Sequence, residues 1–136
     1  MANSNVMDYV TIATAGNATD FGNLTAASQH QASACSIVRG LIFGGTGRGA
    51  AIDYITIASA GNAADFGDHL SGNNIDQGYC VHNKIYAYYA RTSAAQQEKH
   101  TIATAANATA FVFTSLGGIG FSYLKATMKG WIAASG

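Results

Sequence analysis

A chain of 136 residues with 49% hydrophobic side chains has ample material for one core, yet only 10% of it is Asp, Glu, Lys or Arg, seven of each sign. Ordinary globular domains carry about 25% charged residues, so this surface suits a chain that covers much of itself with neighbours, and its balance excludes the basic field that holds nucleic acid through counterion release. The amino end, from Met1 to Asp8, lacks the basic start and apolar run of an export signal, and no stretch reaches the ~18 apolar residues of a membrane span, so synthesis in a cytoplasm is expected.

After Met1 the sequence falls into three consecutive units of 45 residues, 2–46, 47–91 and 92–136, forming a single repeat domain. The string Asp8-Tyr-Val-Thr-Ile-Ala-Thr-Ala-Gly-Asn-Ala-Thr-Asp-Phe-Gly22 returns nearly unchanged over 53–67 and, more worn, over 98–112. Self-similarity at this period marks a supersecondary element that cannot bury its apolar face alone. Function is therefore expected from an assembly.

In chain order, residues 8–14 alternate Val10 and Ile12 against Tyr9, Thr11 and Ala13 and predict a strand rich in β-branched residues. Gly16-Asn17 predicts a two-residue hairpin turn, because both residues tolerate positive φ, and 18–25 the returning strand. A polar connector, 26–31, leads to a third strand over 32–37, and Arg39-Gly-Leu-Ile-Phe-Gly-Gly45 reads as a fourth, buried on both faces. Four short strands per unit, no proline and no helical stripe predict an all-β chain of three four-stranded antiparallel repeats.

Gly44-Gly-Thr-Gly-Arg-Gly49 lacks the Lys-Ser/Thr of a phosphate loop and reads as a connector between units. Asp65-Phe-Gly67 has no kinase motif around it and reads as strand and turn, and the Asn-x-Thr triplets at Asn17, Asn23 and Asn107 read as turns or strands rather than glycan acceptors. Cys35 and Cys80 sit 45 residues apart and are expected as small, half-buried, reduced thiols. Arg39, Lys84 and Lys129 form the one charged feature repeated in all units, expected to keep a strand end soluble, or alternatively to form a positive ring that meets an acidic surface.

The third unit departs from the others, with Ala106, Ala110 and Val112 where Gly, Asp and Gly stand before. Its middle is the most apolar part of the chain, and Phe111, Phe113, Leu116, Phe121, Tyr123, Leu124 and Trp131 are candidates for a partner interface, since terminal repeats differ where they contact something else. Chemistry leaves little trace. The histidines His30, His69, His82 and His100 match no zinc spacing and read as incidental loop or surface residues, so no catalytic, metal or cofactor site is expected.

Arg39-Gly-Leu-Ile-Phe-Gly-Gly45, followed by Ile52-Asp-Tyr-Ile-Thr-Ile-Ala58 and an Asp-Phe-Gly strand, resembles the kelch-type blade, in which an apolar strand ending in Gly-Gly precedes a Tyr-bearing strand. The 52–68 string is also similar to repeats in structural proteins of tailed bacteriophages. The resemblance covers all three units, although only the first keeps the double glycine. It implies half of a six-bladed β-propeller closed by a homodimer, because three blades alone would leave two apolar sides in water. The alternative is a monomeric β-trefoil or β-prism, which also uses three units. The implied function is a non-enzymatic virion protein made in the bacterial host, most simply capsid decoration, with capsid or tail proteins as partners; a fibre component or a tandem-repeat carbohydrate-binding lectin is the alternative.

Overall fold

A computed structural model describes residues 3–70, 78–91, 97–111, 123–127 and 130–134. Among them every regular element is a strand and every pairing is antiparallel. The first unit supplies β1 (Ser4–Tyr9), β2 (Thr19–Ser28), β3 (Ala32–Cys35) and β4 (Arg39–Phe43). The second supplies β5 (Ala51–Thr56), β6 (Ala64–Asp68), β7 (Gly78–His82) and β8 (Tyr86–Arg91), and the third β9 (Gln97–Thr101), β10 (Thr109–Ala110), β11 (Tyr123–Thr127) and β12 (Gly130–Ala134).

The sheets do not coincide with the units. Two complete sheets, β3-β4-β5-β6 and β7-β8-β9-β10, each join the last two strands of one unit to the first two of the next, and two-stranded half sheets, β1-β2 and β11-β12, stand at the chain ends. The 46/47 boundary thus falls inside a sheet rather than between sheets. Its glycines explain this: Gly44, Gly45, Gly47 and Gly49 all take positive φ, which lets the chain reverse so that Phe43 lies opposite Ile52. After β2, by contrast, the chain moves to another sheet.

The repeated Thr-Ile-Ala-x segment ends its strand early. Thr14, Ser59 and Thr104 donate their N–H to the carbonyls of Thr11, Thr56 and Thr101, at 3.3, 3.3 and 3.1 Å, so the strand expected over 8–14 stops at Tyr9. Nor is Gly-Asn a hairpin turn, for the loop that holds it reaches across to the preceding sheet. Gly61 and Ala63 donate to the carbonyls of Phe21 and Asn23 at 2.7 and 2.8 Å, while the Asn62 side-chain oxygen accepts the Asn23 N–H at 3.0 Å. One repeat later Ala108 donates to Asp68 at 2.8 Å and Asn107 accepts the Asp68 N–H at 3.0 Å.

The glycine of Asp-Phe-Gly makes this clamp fit. Gly22 and Gly67 both have φ near +140°, and a Cβ on Gly67 would lie 2.6 Å from the carbonyl carbon and oxygen of Ala106. The motif is an inter-sheet contact point, not a turn. On the opposite side β3 lies against β7 and β7 against β11. Between the two complete sheets Ala34, Leu41, Phe43, Ile52 and Phe66 meet Ala87, Tyr89 and Ile102 in one buried core, with Phe43 stacked on Tyr89 at 5.6 Å.

Candidate functional site

The deepest chemistry lies where successive sheets meet, and it recurs. At the first junction Asp53, on β5 and wholly buried, accepts the Thr25 backbone N–H at 2.9 Å and the Thr25 hydroxyl at 2.7 Å. The Arg48 guanidinium pairs with the same carboxylate and donates to the Thr25 hydroxyl at 3.1 Å. At the second junction Glu98, on β9, replaces Asp53, and Leu70 replaces Thr25; the Leu70 N–H reaches Glu98 Oε1 at 3.1 Å. The buried acid is therefore a repeated clasp from one sheet to its predecessor, to Thr25 within β2 and to Leu70 just past the end of β6.

Around Glu98 the compensating groups differ. His69 Nδ1 lies 2.6 Å and His100 Nε2 3.6 Å from Glu98 Oε2, and all three side chains are fully enclosed. Their ligating atoms fall within 4.8 Å of one another. Burial pushes the Glu98 carboxyl up, but the His100 and His69 imidazoles beside it outweigh that and hold it lowered to about 2. The Phe43 ring covers the cluster, 5.1 Å from His100 and 5.7 Å from His69, and Tyr89 sits 4.6 Å from His69.

This corrects the sequence reading of these histidines: His69 and His100 are core residues, while His30 is exposed and His82 half-buried. The signal was the 45-residue offset itself, which places His69 on Leu24, Glu98 on Asp53 and His100 on Ile55. Leu24, next to Thr25, and Ile55, two residues after Asp53, both give way to imidazoles one repeat later. Arg48 and Asp53 escaped notice because Arg48 sits in a glycine-rich loop.

The repeated cations occupy unlike places. Arg39 opens β4, donates to the carbonyls of Ile102 and Ala103 at 3.1 and 3.0 Å, and lies over the Tyr54 ring at 4.3 Å, so it staples two sheets. Lys84 is exposed in the β7–β8 turn with φ 73°, and Lys129 lies outside the described residues. The hairpin bonds Ser36 N–H to Arg39 O and Asn83 N–H to Tyr86 O make Tyr86 the counterpart of Arg39. By the same register Cys35 answers to His82, whose Nε2 is 4.0 Å from its sulfur. Cys35 is exposed rather than half-buried, and Cys80 is half-buried, with burial pushing its thiol up to about 12 against a lowering hydrogen bond from the Tyr88 backbone; neither forms a disulfide.

Of the candidate interface residues, Phe111 is half-buried, donates its N–H to the Gln97 carbonyl at 2.9 Å and packs edge-on to Tyr88 at 5.1 Å. Tyr123 and Leu124 lie on β11 and Trp131 on β12, in the C-terminal half sheet. Phe113, Leu116 and Phe121 lie outside the described residues. No protein-family model matches the chain, and no curated protein sequence matches it.

Proposed function

We propose that the chain is a non-enzymatic structural protein of a bacteriophage virion, placed on the capsid as decoration, and that it works as a ring closed with a second copy of itself. The observation that carries the assembly is the pair of half sheets at the chain ends. Each lacks what the other has: β11-β12 corresponds to β3-β4 and β7-β8, and β1-β2 to β5-β6 and β9-β10. Bringing β12 of one chain beside β1 of another completes the same four-stranded sheet.

The register of that closure follows from the two internal copies. Arg39 pairs with Thr56 and Tyr86 with Thr101; in the third hairpin Ala126 pairs with Trp131 as Cys35 does with Gly40, so Gly130 stands where Arg39 does. Gly130 then faces Thr11, Ile132 faces Tyr9 and Ala134 faces Met7. The edge awaiting a partner carries exposed apolar residues: Ile12 is 99% exposed, against 43% for its counterpart Ile57 beside β4 and full burial of Ile102 beside β8. An open edge of this kind pairs or aggregates unless it is covered. Two chains joined twice would hold four internal sheets and two shared ones, a six-bladed ring.

The virion assignment rests on the likeness of the repeats to phage structural proteins. Sedimentation tests the ring: a species of twice 14.0 kDa is expected, and one of 14.0 kDa at micromolar concentration would support a trefoil or prism closed within one chain. With Cys35 and Cys80 changed to Ser, the pair Tyr9→Cys and Ile132→Cys should give an inter-chain disulfide. Mass spectrometry of purified particles should find the chain at fixed stoichiometry, and its absence from particles would end the virion reading.

One feature favours a second reading, a lectin. A groove of about 430 Å³ runs past Asp8, Tyr9, Val10 and Phe21, where the Tyr9 and Phe21 rings meet edge to face at 6.0 Å, an arrangement suited to a sugar face. Binding of a glycan there, lost in Tyr9→Ala, would promote it. Ring closure brings β12 beside the same strand, so the two readings compete for one surface.

A further inference from the structure

We propose that His69, Glu98 and His100 bind one divalent transition-metal ion of the zinc class, which locks the second sheet junction. The comparison with the first junction carries the argument. There the buried acid Asp53 has a positive partner supplied by the chain, the Arg48 guanidinium. One repeat later the position of Arg48 is Ser93, and the two aliphatic residues that flank the first clasp, Leu24 and Ile55, have become His69 and His100. At the second junction two imidazoles thus stand beside the buried acid, where a guanidinium stands at the first.

The geometry has the properties of a ligand set rather than of a surface accident. One nitrogen from each ring and a carboxylate oxygen converge within 4.8 Å. His100 is 2% exposed; its Nε2 lies 3.6 Å from Glu98 Oε2, beyond hydrogen-bond reach, and its Nδ1 has no hydrogen-bond partner among the described residues. A buried imidazole left so is costly, and a metal ion takes up the nitrogen lone pair. The Leu70 N–H on Glu98 Oε1 fixes the carboxylate from behind, as outer partners of metal ligands do. Two imidazoles with one carboxylate suit zinc and its neighbours, whereas calcium and magnesium prefer sets of oxygen. With every ligand enclosed, the ion holds structure and meets no substrate.

The test uses the full chain stripped of metal and titrated with cobalt(II) and then zinc. One equivalent of cobalt should bind with the intense visible bands of a low-coordinate site, zinc should displace it, and zinc at a hundredfold excess over its Kd should raise the unfolding midpoint by about 5 to 10 °C. His100→Gln should weaken cobalt binding by at least about 100-fold, since it removes a direct ligand where loss of even an outer partner costs 10- to 100-fold. His30→Gln, at an exposed histidine, should leave it unchanged. If the wild-type chain shows no cobalt spectrum and no zinc-dependent midpoint, the cluster is a plain His69–Glu98 ion pair and the proposal fails. It fails equally if His100→Gln, folded by circular dichroism, binds as the wild type does.

Discussion

At Gly67 two requirements meet in one residue: a φ of +140° and an approach so close that a methyl group would lie 2.6 Å from the Ala106 backbone. Gly67→Ala should therefore destabilise the chain by at least about 2 kcal/mol in denaturant unfolding, strain and clash acting together. Gly16→Ala is the natural control, because nothing lies within 4 Å of the added carbon, and it should be nearly neutral. The Asp53 clasp gives a second prediction at this scale. Asp53 is wholly buried and Arg48 only 7% exposed, so Arg48→Met alone leaves an uncompensated interior charge and should cost about 3–5 kcal/mol. Adding Asp53→Asn should recover a large part of that loss, and a double variant no better than the single would show that the pair is not the source of the cost.

At the scale of strands, the two complete sheets make the same contact with exchanged partners. On the first, Arg39 of β4 lies over Tyr54 of β5 at 4.3 Å; on the second, Lys99 of β9 lies over Tyr86 of β8 at 3.9 Å. Cation and ring have traded strands while keeping their places in the ladder. A double-mutant cycle of Tyr86→Leu and Lys99→Met should give a coupling of about 0.5–1 kcal/mol, the range for a partly exposed cation–π pair, and a coupling of zero would make the swap incidental. From sequence Lys99 looks like a break in a tyrosine pattern, because a one-dimensional alignment compares like positions and not diagonal neighbours. The same limit explains the cations: hairpins 36–39 and 83–86 are 47 residues apart within a repeat of 45, so Arg39 and Lys84 align as letters but not in space. The strand content, the antiparallel pattern and the spacing were legible, since alternation and glycine placement are local signals. That Gly61-Asn62 serves a neighbouring sheet was not, because a loop with turn chemistry carries no mark of what it reaches.

For the whole molecule, the clamps predict how one chain should meet the next. Asn62 and Asn107 each accept a backbone N–H from the preceding sheet at 3.0 Å, and the first unit keeps the same residue, Asn17, exposed and with no such sheet to serve among the described residues. In a closed ring Asn17 would serve the end of the partner's third unit, where Val112 and Phe113 stand in place of Gly67 and Asp68. In such a ring the valine aligned with Gly67 would hold the loop off, so the copy-to-copy junction should be weaker than the internal ones. Two variants separate the levels. Asn62→Ala should lower unfolding stability by about 1 kcal/mol, one hydrogen bond's worth, and leave the dimer constant unchanged. Asn17→Ala should leave the stability of the isolated chain within about 0.5 kcal/mol of wild type but weaken dimerisation by about 30-fold, because the ring has two such junctions and each loses about one bond of ~1 kcal/mol. Val112→Gly should act in the opposite sense and tighten the dimer. Equal sedimentation profiles for wild type, Asn17→Ala and Val112→Gly across the micromolar range would show that the chain ends do not meet through this clamp, and the ring would have to close by another contact or not at all.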